Sequence, residues 1–301
     1  MKAFLNLFAF LRLMTFVSLA GLLLACEQST DAPKNTNLTQ QVTNNPEGVQ
    51  NHLLYMEGPN GDFKLHYASS DRSLTPKDTL VFIHDSGEDS SSFRRYFQAD
   101  NVKQKYRLIA LDRPGWGKST YAGEFPSRLE MQSQMLAPVI QNIWERNGKD
   151  KILLAGNGYG GALASLLAAE YPDFVRGVIL INATLTSEQI HAAWYAPALR
   201  WLPRFLFSES WRREQLEQVD LEQSLSQAKD QLANLTQPVG WLQTVVAESA
   251  HPGSYMRLAK SLFQQADIHL TLIEETDKKL HQHHPEQVMR AVQAINLHSR
   301  Y

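Results

Sequence analysis

The residues with the clearest potential for chemistry form a glycine turn, Gly156-Asn157-Gly158-Tyr159-Gly160-Gly161. An apolar run typical of a buried strand precedes this turn, and a run of strong helix formers follows it. Glycines at this spacing between a strand and a helix are typical of dinucleotide-binding turns. Such sites also need an acidic residue about 20 positions further on, whereas this region holds Arg176 and a strand that ends at Asn182. A nucleotide is therefore disfavoured, although the helix N-terminus still suits a small anion.

Titratable side chains stand near the ends of other predicted elements. His84 and Asp85 directly follow the apolar run Thr79–Ile83, and a second apolar run ends before Asp112-Arg113. Parallel sheets place their chemistry at the carboxyl ends of strands, so His84 is a candidate pocket residue. Asp112 and Arg113 are expected to brace the turn after their strand rather than to react.

A histidine cluster, His281-x-His283-His284, stands before the last predicted helix and makes His281 a second pocket candidate. Its spacing is compatible with a metal site. However, a polar loop before a helix favours a solvated cluster, so the sequence predicts no metal.

Strand and helix signals alternate along the chain, and strand, tight turn, helix and strand together predict a βαβ unit of a parallel sheet. Two strand-like runs within His52–Ser69 predict a β-hairpin. Leu129–Arg146 predicts an amphipathic helix interrupted near Pro138. Residues 187–234 predict a helical insertion, whose tryptophans either line a pocket or pack the insertion on the core. These tryptophans are Trp194, Trp201 and Trp211.

The N-terminal segment predicts export. Lys2 and Arg12 precede an uncharged run that reaches Ala25, and Cys26 follows. This is typical of a secretory signal, and Leu23-Leu24-Ala25-Cys26 resembles a bacterial lipobox. The resemblance implies acylation of Cys26 and a membrane partner through the lipid, with the outer membrane facing the periplasm as the expected location; an uncleaved membrane anchor is the alternative.

Composition and predicted boundaries complete this outline. The 301 residues carry a net charge of −2 and a single cysteine, so neither a nucleic-acid partner nor an internal disulfide is expected. The predicted organisation is a signal peptide at 1–25, a lipidated cysteine and polar flexible tether at 26–50, and one domain at 51–301.

Four segments, in this order, resemble the α/β-hydrolase family. They are Leu80–His84 with Gly87, Asp112–Ser119, Gly156–Ala164 and Pro285–Val288. In the same order, the family features that they resemble are the strand and His-Gly loop that supplies one oxyanion-hole amide, the D-R-P-G-x-G-x-S segment, the nucleophile elbow and the start of the last helix. The resemblance covers roughly His52 to Leu297. It implies an α/β fold with a mostly parallel sheet flanked by helices and a short helical cap at about 185–236.

The catalytic positions that this resemblance implies depart from the family's triad. The nucleophile position is Gly158, which has no side chain. The histidine position is Lys278, and an ammonium group cannot accept a proton from a serine. His281 reaches that position only if the register shifts by three residues. The acid position falls on Glu248 or Ala247.

Two positions of the oxyanion hole are retained in the resemblance, at Asp85 and Tyr159. Together these features favour a catalytically degenerate homologue without a cofactor, which binds an unknown small ligand or protein partner at the envelope. The alternative is an active hydrolase of an ester or similar bond, with an atypical arrangement that draws on His84, Asp85, Glu248 or His281. A structural envelope protein with a filled pocket is the third possibility.

Overall fold

The computed structural model describes residues 39–44, 48–58, 60–70, 77–245, 252–274 and 279–300. Within these ranges the chain forms a sheet of nine strands in the order β1-β2-β3-β5-β4-β6-β7-β8-β9. The strands are β1 (Thr39–Asn44), β2 (Gln50–Met56), β3 (Phe63–Ser69), β4 (Asp78–Ile83), β5 (Tyr106–Leu111), β6 (Ile152–Asn157), β7 (Val175–Ile181), β8 (Val239–Val245) and β9 (Ile268–Glu274). Pairing is antiparallel from β1 to β3 and between β3 and β5, and parallel across the other six strands. The predicted α/β class with a mostly parallel sheet is confirmed.

Helices cover both faces of this sheet. They are α1 (Arg94–Gln98), α2 (Asp100–Lys105), α3 (Leu129–Arg146), α4 (Tyr159–Glu170), α5 (Glu209–Gln227), α6 (Lys229–Ala233), α7 (Pro252–Leu262), α8 (Leu280–His283) and α9 (Pro285–His298). Successive residues of a strand point to opposite faces. Accordingly, Val81 and Ile83 of β4 pack in the cluster that contains α3 and α4, whereas Leu80 and Phe82 pack in the cluster that contains α1 and α9.

The structure differs from two local predictions. The predicted tether extends to residue 50, yet Thr39–Asn44 pairs with β2 as an edge strand. Its sequence, TQQVTN, is almost entirely polar, so it lacks the alternation by which strands are recognised. The helix predicted to break near Pro138 runs uninterrupted from Leu129 to Arg146.

The predicted signal peptide at 1–25, Cys26 and the first part of the tether lie outside the described residues. None of the described helices is both long and apolar enough to cross a bilayer.

The segment between β7 and β8 forms the predicted helical cap. Short 3₁₀ turns lead into α5 and α6, and no strand interrupts the described segment from residue 182 to residue 238. Trp211 is partly buried and packs with a cluster that contains Trp116. Trp194 and Trp201, by contrast, are 91% and 87% exposed, so neither packs the cap on the core.

Candidate active site

The glycine turn lies where β6 ends and α4 begins, at the carboxyl edge of the parallel strands. Gly158 has φ +54° and ψ −120°, a left-handed conformation that glycine adopts without a Cβ penalty. Its amide donates to the carbonyl of Ile181 on the neighbouring strand β7 at 3.0 Å. Gly160 brings α4 against the end of β4, because a Cβ there would overlap the carbonyl of Ile83. The chain therefore makes a sharp strand-to-helix turn at an edge where parallel sheets bind their ligands.

A carboxyl group from another loop fills the place of the missing side chain at this turn. A Cβ built on Gly158 would overlap the carboxyl carbon and both carboxyl oxygens of Asp85. The amide of Tyr159 donates to Asp85 Oδ1 at 2.7 Å, and the amide of Ser86 donates to the same oxygen at 2.8 Å. Thus Asp85, two residues after the end of β4, places a carboxyl group where Gly158 has no side chain.

The environment of Asp85 adjusts its ionisation. Burial of the carboxyl group raises its pKa to about 6, although the amides of Tyr159 and Ser86 act in the opposite direction. The nearby carboxylate of Glu88 raises the pKa further. The residue as a whole is half-buried, so solvent still reaches it. Asp85 is accordingly ionised at neutral pH and becomes protonated under mildly acidic conditions.

Glu88 and His281 form a pair beside this carboxylate. The Glu88 amide donates to the Asp85 carbonyl at 3.3 Å, and this turn keeps Glu88 close to Asp85. The Nε2 atom of His281 lies 3.4 Å from Glu88 Oε2, and the amide group of Asn157 at the end of β6 donates to the same oxygen at 3.4 Å. Gln282 donates to the other oxygen of Glu88 at 3.3 Å. Glu88 therefore connects the glycine turn with helix α8.

The surroundings of Glu88 keep its carboxyl group ionised. Burial tends to raise its pKa, but the hydrogen bond and charge of His281, together with the charge of His84 and the backbone of Asp85, hold the pKa below its ordinary value. The ring of His281 packs 5.2 Å from that of Phe93. Its Nδ1 atom has no hydrogen-bond partner in the described part of the chain. The ring is fully buried, so the prediction of a solvated histidine cluster is wrong for His281.

His84, by contrast, does not face a pocket. It is fully buried; its Nδ1 donates to the carbonyl of Asp85 at 2.7 Å and its Nε2 accepts from the amide of Arg113 at 3.0 Å. Burial, together with the charge of Arg113, lowers the pKa of His84 to about 4. The neutral ring thus fixes the backbone of the Asp85 loop, and its prediction as a pocket residue is wrong.

A buried ion pair joins this loop to the cap. The Nη1 and Nη2 atoms of Arg113 donate to the two carboxylate oxygens of Glu217 on α5, at 2.6 and 3.1 Å. Both side chains are inaccessible to solvent, and the indole of Trp116 also donates to Glu217 at 2.9 Å. The hydroxyl of Ser86, next to Asp85, donates to Glu217 at 2.5 Å. Arg113 therefore braces the cap as well as its own turn.

Asp112 and Ser119 act as structural groups. Asp112 accepts from the amides of Ser90 and Lys118 at 2.7 and 2.8 Å and pairs with His66. Burial tends to raise the pKa of Asp112, but these hydrogen bonds lower it to about 2. The Ser119 hydroxyl donates to the Asp112 carbonyl at 2.7 Å. Asp112 thus braces its turn, as predicted.

Two implied catalytic positions, Glu248 and Lys278, lie outside the described residues, as does Ala247. Among the predicted residues that are described, the structure brings together Asp85, Gly158, Tyr159 and His281. Sequence reasoning missed Glu88 and Glu217. The amide of Tyr159 already binds a carboxylate, which would repel a phosphate at the same helix terminus, so the turn does not fit a nucleotide.

The amino-acid sequence is also similar to those of known proteins. A family model described as serine aminopeptidase, S33, matches residues 75–251. The chain is 26% identical over 215 residues to a 2-hydroxy-6-oxononadienedioate/2-hydroxy-6-oxononatrienedioate hydrolase of Paraburkholderia phymatum, a match that covers 65% of this chain and 72% of that one. It is 29% identical over 167 residues to epoxide hydrolase 4 of Homo sapiens, covering 51% of this chain and only 44% of the relative.

Solved structures show the same fold. A haloalkane dehalogenase loop variant from Bradyrhizobium elkanii superposes with a TM-score of 0.60 at 19% identity, covering 84% of this chain and 99% of that one. A thermophilic esterase from Thermogutta terrifontis gives 0.57 at 16% identity, covering 83% and 99%. The α/β-hydrolase fold that the four sequence segments imply is therefore confirmed.

Proposed function

Because the chain belongs to the serine aminopeptidase S33 family of α/β hydrolases, we propose that it is a hydrolase in which the Asp85 carboxylate replaces the nucleophile of the elbow. One observation carries this proposal: the carboxyl group occupies the space of the absent Gly158 side chain and is held there by the Tyr159 amide. Carboxylates act as nucleophiles in several enzyme classes. A hydrolase with an atypical catalytic arrangement needs a nucleophile at this position, and the carboxylate supplies one.

The two oxygens of Asp85 have different surroundings. Oδ1 accepts from two backbone amides, whereas Oδ2 has no hydrogen bond recorded among the described residues. In the proposed first step Oδ2 attacks an electrophilic carbon, a carbon–oxygen or similar bond breaks, and the leaving oxygen takes a proton from water. The product of this step is an ester between Asp85 and the substrate.

The second step uses the same amides as an oxyanion hole. Water attacks the carboxyl carbon of the ester, and the His281–Glu88 pair accepts its proton. Negative charge develops on Oδ1, where the amides of Tyr159 and Ser86 stabilise it. The bond from the carboxyl carbon to Oδ2 then breaks, and Oδ2 leaves with the product as an alcohol oxygen that takes the proton back. The remaining proton of the attacking water passes to solvent, where it neutralises the hydroxide formed in the first step. Asp85 regains its carboxylate with one oxygen derived from water.

The substrate class follows from this chemistry and from the relatives. A carboxylate opens an epoxide by attack on carbon, and two of the relatives are named epoxide hydrolases. Epoxides are therefore the first substrates to test.

The decisive experiment is a single turnover with enzyme in excess over an epoxide such as styrene oxide, in water enriched in heavy oxygen. Hydrolysis through an Asp85 ester places the heavy oxygen on Asp85 and leaves the first product unlabelled. Fragment mass spectra distinguish Asp85 from the neighbouring Glu88 and Asp89. Label that appears only in the product, with none on Asp85, contradicts the nucleophile role.

A transplant of the carboxylate supplies a matched control. Asp85→Gly removes the group and abolishes turnover. The double variant Asp85→Gly with Gly158→Asp puts a carboxylate on the elbow itself, in space that the first change vacates, and recovers part of the activity. If the double variant is as inactive as Asp85→Gly, the position of the carboxylate is not what matters.

A second candidate function is the degenerate, ligand-binding homologue. It is favoured by the occupancy of the Tyr159 amide, since a substrate oxygen cannot use that donor while Asp85 Oδ1 holds it. This candidate predicts neither label on Asp85 nor turnover of epoxides or p-nitrophenyl esters above a heat-denatured control. It also predicts that Asp85→Asn leaves ligand binding intact.

The location that we propose is the bacterial cell envelope, with a lipid anchor at Cys26 and the outer membrane as the destination. The charged start, apolar run and lipobox-like residues before Cys26 support it, and the exposed Trp194 and Trp201 suit a protein held at a membrane surface. Labelling of cells with a palmitate analogue tests the anchor. The wild type incorporates the label and Cys26→Ala does not; equal labelling of both contradicts the proposal.

A further inference from the structure

Two histidines and an aspartate converge on the surface far from Asp85. Asp267 immediately precedes β9, His269 is the second residue of β9, and His298 is the last residue of α9. One ligand atom from each lies within 4.8 Å of the other two. Because β4 and β9 run in the same direction within the sheet, this cluster lies at the amino edge, opposite the Asp85 site.

The separations of these atoms suit a tetrahedral metal ion. His269 Nε2 lies 3.2 Å from Asp267 Oδ2, and His298 Nε2 lies 3.9 Å from the same oxygen. Zinc bonds to nitrogen and oxygen of about 2.0–2.1 Å place neighbouring tetrahedral ligands about 3.3–3.4 Å apart. Closure around an ion thus shortens the His298–Asp267 separation by about half an ångström and brings the two imidazole nitrogens, which lie within 4.8 Å of each other, to a similar spacing.

The orientation of the imidazole rings also suits a metal ion. The two rings lie edge to face, with centroids 4.3 Å apart and planes at 62°. The Nδ1 atom of His298 faces the carbonyl of Ala294 at 3.3 Å. Donation to that carbonyl fixes the proton on Nδ1 and leaves the Nε2 lone pair directed towards Asp267, which is the outer-shell arrangement that metal-binding histidines use.

The backbone that carries Asp267 and His269 is held by strand β8. The Asp267 carbonyl accepts from the Val239 amide at 2.8 Å, and His269 is in register with Gly240 of β8. The side chains nevertheless remain accessible, with exposed fractions of 64%, 35% and 52% for Asp267, His269 and His298. An ion can therefore reach a site whose ligands are already held near their final positions.

We propose that Asp267, His269 and His298 bind one Zn²⁺ ion. Two imidazoles and one carboxylate suit zinc and disfavour Mg²⁺ and Ca²⁺, which prefer sets of oxygen ligands. Three protein ligands leave the fourth position to water. The ion links the end of α9 to the edge strand β9 and so stabilises the C-terminal part of the domain. This inference is independent of the hydrolase proposal.

Zinc titration of the full chain, freed of metal with a chelator, tests the site by calorimetry. The expected result is one bound equivalent, together with the visible absorption of tetrahedral Co²⁺ when cobalt replaces zinc. Substitution of all three ligands, as Asp267→Asn, His269→Gln and His298→Gln, weakens binding at least about 100-fold, and each single change at least about 10-fold. Because all three residues are at least one-third exposed, the folded state tolerates these changes.

The matched control is His191→Gln, an exposed histidine of the cap, which leaves zinc binding unchanged. Zinc also raises the unfolding temperature of the wild type and of the control, and this rise disappears in the triple variant because only a bound ion shifts the equilibrium. The proposal is overturned if the wild type binds no zinc. It is also overturned if the triple variant binds as tightly as the wild type, which would assign the ion to other histidines such as His283 and His284.

Discussion

Two histidine–carboxylate pairs with a buried histidine stand out among the described residues, and they differ in how completely their atoms are hydrogen-bonded. In the first pair, His66 Nδ1 lies 2.8 Å from Asp112 and Nε2 lies 2.9 Å from Asn51, so both ring nitrogens have partners. In the second pair, His281 faces Glu88 at 3.4 Å, and its Nδ1 has no partner in the described structure. The first pair has all its ring nitrogens hydrogen-bonded and fixes loops. The second pair lies beside the Asp85 carboxylate and has a ring nitrogen that can still accept a proton.

The comparison teaches that residue types alone do not identify a catalytic pair. Asp112 has its pKa lowered to about 2 by hydrogen bonds, whereas burial raises the pKa of Asp85 to about 6. A carboxylate that is fully hydrogen-bonded is stabilised in place and is a poor nucleophile, while a less satisfied one is reactive.

The largest expected effect is that of Asp85→Asn on turnover. Loss of a nucleophile lowers turnover by roughly 10⁶, and binding with the oxyanion hole leaves roughly 10³ to 10⁴ over the uncatalysed rate. Steady-state kinetics on the best epoxide substrate measures it. Asp112→Asn is the matched change, and its turnover per folded molecule stays within about tenfold of wild type because Asp112 touches no reacting atom. Equal losses in both variants would remove the distinction between the two carboxylates.

The next effect separates the two histidines. His281→Gln lowers turnover per folded molecule about 10²- to 10⁴-fold, since a proton acceptor is lost. His66→Gln leaves the buried Asp112 short of a partner and lowers the free energy of unfolding by about 1–3 kcal/mol, whereas turnover per folded molecule changes little because His66 touches no reacting atom. Turnover and urea denaturation, measured on both proteins, give the two profiles. Activity loss without instability in His66→Gln contradicts the assignment.

The pH dependence of turnover is a smaller effect. The nucleophile must be ionised, and the pKa of Asp85 is about 6, so kcat/KM falls about tenfold for each unit as pH drops below 6. Asp112 contributes nothing in this range because its pKa is about 2. Rates between pH 4.5 and about 8, with circular dichroism to verify folding, check the profile. A profile that is flat through pH 6 rules out ionised Asp85 as the reacting group.

The smallest effect concerns stability at neutral pH. The folded-state pKa of Asp85 lies above its unfolded value, so ionisation of Asp85 destabilises the folded protein above pH 6, and stability is regained as pH falls from 6 to 4. Asp85→Asn removes this cost and raises the free energy of unfolding by about 1–2 kcal/mol at pH 7. Asp112→Asn lowers it, because the depressed pKa of Asp112 contributes stability that is present above about pH 4 and lost as pH falls through 2. Urea denaturation of both variants measures the two signs.

Much of the fold could be predicted because its signals are local. The apolar run Ile152–Ala155 and the glycines after it specify β6 and the turn, and the helix formers specify α4. Strand β1 escaped prediction because an edge strand needs no apolar face. Pro138 suggested a break in the helix because a proline lacks a backbone donor. The packing that keeps α3 continuous cannot be seen in the sequence.

The site was predictable only in part. Gly158 and Tyr159 follow from the turn, but the position of the Asp85 side chain depends on a loop 74 residues away in sequence. A signal was present, since an elbow without a side chain leaves a space that another group must fill. Counting along the family's motifs places the histidine position at Lys278, which lies outside the described residues. Such a count does not register that His281 is buried against Phe93.

The overlap between a side chain at position 158 and the Asp85 carboxyl group has a consequence for descent. Because the two cannot occupy the site together, any route from an ancestor with an elbow side chain must lose that side chain before, or together with, the inward placement of Asp85. Reversion is blocked in the same way: Gly158→Ser introduces a nucleophile into space already taken. The effect of a substitution at position 158 therefore depends on the residue at position 85. A single substitution at the elbow does not restore the ancestral arrangement.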